Sequence, residues 1–125
     1  MILVKIKMKV LPEKRKEVIQ TLLSMIDPVR KEKGCLSHMV FCDMEDDHVF
    51  SLIEEWKTRE DLAHHIRSEK FSVLLGTKSL LAQPWEINLY TVSHSEGAEV
   101  VNALRGKGNP KKTLKKEGGI RALGQ

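Results

Sequence analysis

The sequence predicts an α+β domain of the ferredoxin-like type, ordered β-α-β-β-α-β around an antiparallel sheet. Three observations carry this reading. Residues 2–10 alternate strictly between apolar and basic residues. A long helical stripe follows and stops at Gly34. A hairpin pattern over residues 35–56 then leads into a second helical region and a last strand.

In ILVKIKMKV, Ile2, Val4, Ile6, Met8 and Val10 share one face, and Lys5, Lys7 and Lys9 share the other. That is a half-buried strand. Pro12 suits the first turn of a helix. From Glu13 to Lys33, Val18, Leu22, Met25, Ile26 and Val29 recur at helical spacing. Pro28 lies inside this stripe, so a bend or break is expected there. CLSHMVFCDM (35–44) and HVFSLIEEW (48–56) read as paired strands around a polar turn. Thr58 and Asp61 resemble a capping box opening the second helix, in which Leu62 and Ile66 mark the inward face. Ser68 caps a further helical piece with Phe71, Leu74 and Leu75 inward, and Pro84 ends it. WEINLYTVS (85–93) is the last strand, with Trp85, Ile87 and Leu89 inward and Glu86, Asn88 and Tyr90 outward.

In this topology the first strand lies between the third and the fourth. Its lysines then stand beside Glu55 and Glu86 on a face that the helices leave open. Two readings stay open for that face: a solvated surface, or a second sheet stacked on it in a symmetric dimer.

Charge divides the chain. The 125 residues carry a net charge of +4. Residues 1–94 hold 14 basic and 14 acidic residues, so the whole excess lies in residues 95–125. That segment also holds six of the eight glycines and no aromatic residue. The expected organisation is a neutral domain over 1–94 and a basic, Gly-rich, flexible extension over 95–125 with one short helix near 96–105. The lysines at 111, 112, 115 and 116 would give nucleic acid only weak, salt-sensitive binding, and no stacking aromatic accompanies them. A nucleic-acid partner is therefore not expected. No apolar run approaches the ~18–20 residues of a membrane span. Two cysteines make no disulfide framework, and the reducing cytoplasm is the expected compartment.

Few residues are placed for chemistry. Cys35 and Cys42, seven apart on one strand, fall on opposite faces unless a bulge intervenes. His64 and His65 diverge by about 100° on a helix. Asp46, Asp47 and His48 can touch an ion only at the surface, and no required metal is expected. Phosphate loops and nucleophile elbows are absent from the sequence. Between helices and sheet the pattern gathers Trp56, Glu54, His65 and, if Leu36, His38 and Val40 face inward, His38. Each has a structural reading as a core residue or a hydrogen-bonded core group. Together they describe a small-molecule site.

The run FSLIEEWKTREDLAHHIRSEKF resembles the signature of the antibiotic biosynthesis monooxygenase family. Phe50, Glu54 and Trp56 alternate on a strand, His65 follows the Trp by nine residues, and Phe71 follows the His by six. The junction KGCLSH, with Gly34, Cys35 and Leu36, is similar too. The resemblance spans residues 1–94. It implies a dimeric α+β barrel, two sheets stacked on their open faces, with a cavity between sheet and helices and Trp56 in its wall. It further implies a small aromatic substrate of the quinol, phenol or anthrone type, oxidised with O₂ without any cofactor. His65 or His38 would act as base, and Trp56, Glu54, Phe50, Phe71 and Leu62 would bind the substrate. The chain departs from the family pattern at His38, where tyrosine is common, and at Lys70, where a second histidine often stands. A non-catalytic dimeric binding or sensor module on the same scaffold is the alternative.

Overall fold

The computed structural model describes residues 1–106. Its elements are β1 (Ile2–Lys9), α1 (Arg15–Arg30), β2 (Cys35–Cys42), β3 (Val49–Trp56), α2 (Arg59–Ile66), α3 (Glu69–Gly76), β4 (Glu86–Thr91) and α4 (Glu99–Leu104). The strands form one antiparallel sheet in the order β2-β3-β1-β4. This is the ferredoxin-like arrangement, with α1, α2 and α3 on one side. Residues Met1–Thr91 make one compact unit, and the chain from Val92 belongs to a second. In the second, α4 is a short helix with exposed Val101 and Leu104. The lysine cluster at 111–116 lies outside the described residues.

The alternation of β1 sets the core. Ile2, Val4, Ile6 and Met8 are buried against Val18, Leu22, Met25 and Val29 of α1, with Leu52 and Trp56 of β3. Burying a side chain of this size stabilises a fold by roughly 1.5–3 kcal/mol.

Several expectations are corrected. Pro28 does not break α1, which runs on to Arg30. Pro28 falls in the last turn, where a missing N–H costs one helical bond, and Val29 beside it is fully buried. A bulge between Cys35 and Ser37 shifts the start of β2. Cys35 therefore pairs with Trp56 and Cys42 with Phe50, so both cysteines lie on the helix-facing side rather than on opposite faces. Leu36, expected inward, is exposed. In α2 the inward pair is Leu62 and His65, and Ile66 is exposed. In α3, Phe71 and Leu74 are buried while Leu75, about 100° further round, is exposed. Ile87 and Leu89 pair with Ile6 and Val4, so they lie on the expected face. Each is nevertheless 42% exposed, because β4 is an edge strand that the helices do not cover.

On the open face, Lys7 stands directly opposite Glu86, as the alternation requires. Glu55 stands opposite Leu3 instead of a lysine. It accepts a hydrogen bond from Ser37 Oγ at 2.8 Å. Met39, Phe41 and Tyr90 are exposed on this face.

A buried carboxylate–imidazole cluster as candidate functional site

β3 delivers two of the site residues. Glu54 and Trp56 share its helix-facing side, two residues apart, and both are essentially inaccessible. His38 reaches the same place from β2, where the register pairs it with Glu54. Arg30 Nε holds this stretch to the end of α1 by donating to the His38 carbonyl at 3.0 Å. His65 comes down from α2. The Thr58 hydroxyl caps that helix by accepting from Asp61 N–H at 3.1 Å. Ser68 in turn caps α3, which carries Phe71.

These side chains meet through directed bonds. Glu54 Oε2 accepts from His38 Nδ1 at 2.8 Å, and Glu54 Oε1 accepts from the indole N–H of Trp56 at 3.0 Å. His65 Nε2 lies 3.7 Å from the same Oε2, beyond a good hydrogen bond. The other nitrogen of His65, Nδ1, lies 3.0 and 3.1 Å from the two oxygens of Glu32. The His65 ring stacks on Trp56 at 4.5 Å between centroids and meets the Phe71 ring edge-on at 5.5 Å. Phe71 meets Trp85 edge-on at 6.5 Å.

A carboxylate oxygen accepts and does not donate. Each imidazole–carboxylate bond therefore places the proton on Nδ1. In the neutral rings Nε2 then keeps its lone pair, and among the described residues neither His38 Nε2 nor His65 Nε2 has a hydrogen-bond partner. Burial alone would raise the Glu54 carboxyl. The bonds from His38 and Trp56, with the favourable electrostatics of the neighbouring His65 and His38 rings, outweigh it and hold Glu54 below the usual carboxylate range. Nearby, burial and the charges of Glu54 and Glu32 push the Cys35 thiol up to about 11.

The structure thus brings together His38, Glu54, Trp56, His65 and Phe71, with Leu62 buried in the same core. Phe50 is not among them. It lies six residues back along β3, opposite Met8, with the Arg15 guanidinium 5.5 Å from its ring centroid. Trp56 is packed inside the core rather than lining either described cleft. One cleft, of about 480 Å³, is bordered by Leu75, Lys78, Leu81 and Trp85. The other lies over Lys33, Asp61, His64 and Arg67. The Asp46, Asp47 and His48 side chains converge within 4.8 Å. Asp46 is already occupied in the turn, where it caps His48 N–H.

Glu32 is the participant that the sequence pattern does not reveal. It sits in a KEK run that reads as solvated surface. The one signal nearby is Gly34, whose φ of +81° favours glycine and whose Cβ position would overlap the Asp61 carboxyl. That contact fixes the loop of Glu32 against the first turn of α2, one helical turn before His65. Two backbone bonds support it: Cys35 N–H donates to Glu32 O at 3.1 Å, and Lys57 N–H to Gly34 O at 2.8 Å.

Comparisons with known proteins agree with this architecture. An uncharacterized protein of Synechocystis, sll1783, is 33% identical over 89 residues, 70% of this chain and 60% of that protein. The chain thus spans about 60% of that relative's length. The Bacillus subtilis protein named "Putative monooxygenase YcnE" is 27% identical over 88 residues, 70% of this chain and 93% of its own. The crystal structure of a conserved protein from Methanosarcina mazei superimposes with a TM-score of 0.68 at 34% identity, covering 71% of this chain and 89% of that one. The model of one family, antibiotic biosynthesis monooxygenase, matches residues 1–74, which include the helix-to-strand junction and the whole Glu54–Trp56–His65–Phe71 series. The chain belongs to the antibiotic biosynthesis monooxygenase family.

Proposed function

We propose that this protein is a cofactor-independent monooxygenase acting on a small electron-rich aromatic of the quinol, phenol or anthrone type. The observation that carries the reading is the pair of buried imidazoles, each held by a carboxylate through Nδ1 and each with an Nε2 that has no hydrogen-bond partner among the described residues. Such an imidazole is oriented to take a proton from a hydroxyl. His65 is the first candidate base, because its ring is flanked by Trp56 and Phe71 and this aromatic series ends at the Trp85 cleft. Its Nε2 accepts the hydroxyl proton and leaves an aromatic oxyanion. The oxyanion passes electrons to O₂, one oxygen atom enters a ring carbon, and the other leaves as water. The substrate supplies all four electrons, so the balance needs no further reductant. Family membership and the monooxygenase name of the Bacillus relative support this chemistry.

The acting unit is a homodimer, with the open sheet faces stacked so that Met39, Phe41 and Tyr90 are covered. The alternative, a non-catalytic binding or sensor module, is favoured by one observation: Trp56, Glu54 and His65 are closed off in a packed core.

Oxygen-electrode assays with hydroquinones, naphthols and anthrones separate the two. Protein-dependent O₂ uptake, with one oxygen atom of ¹⁸O₂ in the product, is expected. Saturable binding of these compounds without O₂ uptake supports the sensor reading. On a confirmed substrate, His65→Ala should lower turnover by ~10²–10⁴-fold, the effect of losing a general base. Activity that returns at pH 9 would support the base role, because solution then ionises the substrate. His38→Ala is the matched comparison, and loss of activity there with full activity in His65→Ala moves the base to His38.

A further inference from the structure

Glu32 lies 33 residues from His65 in sequence, yet its carboxylate grips His65 Nδ1 with both oxygens, at 3.0 and 3.1 Å. The two side chains differ in exposure. His65 is 1% exposed and Glu32 is 17% exposed, so Glu32 joins the buried ring to the solvent. In its neutral form the His65 ring carries one proton, and it has a carboxylate on each side. On the far side stands Glu54 Oε2, 3.7 Å from Nε2 and already accepting from His38 at 2.8 Å. The two carboxylates compete for that single proton. The Glu32 contact is the shorter one and uses two oxygens, and Glu32 lies outside the strands and helices that hold the rest of the site.

We propose that Glu32 is a positioning residue: its carboxylate selects the Nδ1–H tautomer of His65 and so keeps Nε2 as the nitrogen able to accept a proton. Without Glu32 the proton belongs on Nε2, where Glu54 is the remaining acceptor. The ring then becomes a structural donor and loses its lone pair on the reactive side. Gly34 is part of the device. Its positive φ and its close approach to Asp61 register the Glu32 loop against α2, so the carboxylate meets Nδ1 of a ring one turn further along that helix. The effect on turnover rests on the reading of His65 as base, but the effect on the tautomer does not.

The test is two-bond ¹H–¹⁵N correlation of the imidazole nitrogens in ¹⁵N-labelled full-length protein at pH 8. Wild type is expected to show His65 with the proton on Nδ1. Glu32→Ala should move the majority of His65 to the Nε2–H form. Glu32→Met, which refills the side-chain volume, serves if the alanine variant loses its fold. Glu32→Gln should restore Nδ1–H, since its amide oxygen still accepts. Nδ1–H retained in both the Ala and the Met variant overturns the proposal. On a confirmed substrate, a switched tautomer with turnover lowered about 10²-fold or more, and recovery in Glu32→Gln, supports both the positioning role and the base. A switched tautomer with unchanged turnover supports the positioning role and overturns the reading of His65 as base.

Discussion

The indole N–H of Trp56 donates to Oε1 of Glu54, two residues earlier on the same strand, at 3.0 Å. The pairing solves two problems of burial at once. An indole N–H inside a core needs an acceptor, and a carboxylate inside a core needs donors. His38 supplies the second donor, so neither oxygen of Glu54 lacks one. The mutual dependence makes the effects of substitution separable. Trp56→Phe keeps most of the ring volume and removes one donor, and a loss of about 1–3 kcal/mol is expected. Trp56→Ala opens a cavity as well, with about 3–5 kcal/mol lost. Urea unfolding of the two variants checks the difference. Equal losses would show that the hydrogen bond, and not the packing, dominates.

The depressed Glu54 carboxyl fixes a pH dependence. Its folded-state value lies below the ordinary one despite burial. The unfolded chain therefore takes up the proton more readily than the folded chain. The resulting stability is fully present above the ordinary glutamate range and is lost as pH falls through the folded value. Glu54→Gln has no such carboxyl to protonate. Its melting temperature should be lower than wild type at pH 7, and the gap should narrow as pH falls below the ordinary glutamate value of 4.5. Melting curves from pH 7 to below that value are the measurement, and a gap that stays constant would contradict the assignment.

Cysteine reactivity reports on the same cluster. The Cys35 thiol is pushed up to about 11, so little thiolate exists at pH 8. Alkylation of Cys35 by iodoacetamide should be at least about 10-fold slower than that of free cysteine, after allowing for the greater nucleophilicity of a high-pKa thiolate. Cys42 is exposed at the end of β2 and should be labelled first. Peptide mapping after partial alkylation distinguishes the two sites. Removal of Glu54 should raise the Cys35 rate, because one of the charges holding the thiol protonated is gone.

The residues that were legible in the sequence share a physical reason. Strict alternation in β1 fixed its buried face, and Trp56 with Glu54 followed from the same period in β3. Thr58 and Ser68 were readable as caps because capping is local chemistry. What local pattern does not contain is a bulge. The one near Leu36 reversed the sides of Leu36 and Cys35, although His38 and Val40 beyond it kept the inward side. Exposure of Ile87 and Leu89 was equally invisible, since an edge strand carries the same alternation as a central one. Glu32 was hidden because its role depends on a loop brought to His65 by tertiary packing.

The open sheet face leads to the last prediction, the homodimer. Lys7 stands between Ser51 on β3 and Glu86 on β4. Its charge is thus matched by a neighbour on one side, and exposed Met39, Phe41 and Tyr90 supply apolar area on the same face. A sheet with that mixture is suited to a second copy stacked upon it, with the facing Lys7 and Glu86 helping to fix register and the apolar side chains supplying the driving force. Lys7→Glu places like charges opposite each other at position 86 and inside the interface, and should weaken association at least about 10-fold. Phe41→Asp removes apolar area and introduces a charge that must be desolvated, and should weaken it further. Sedimentation velocity from 1 to 100 µM, with circular dichroism to confirm that each variant is folded, reads both effects. A wild-type monomer throughout that range would refute the dimer. A wild-type dimer unaffected by either substitution would place the interface on another surface of the domain.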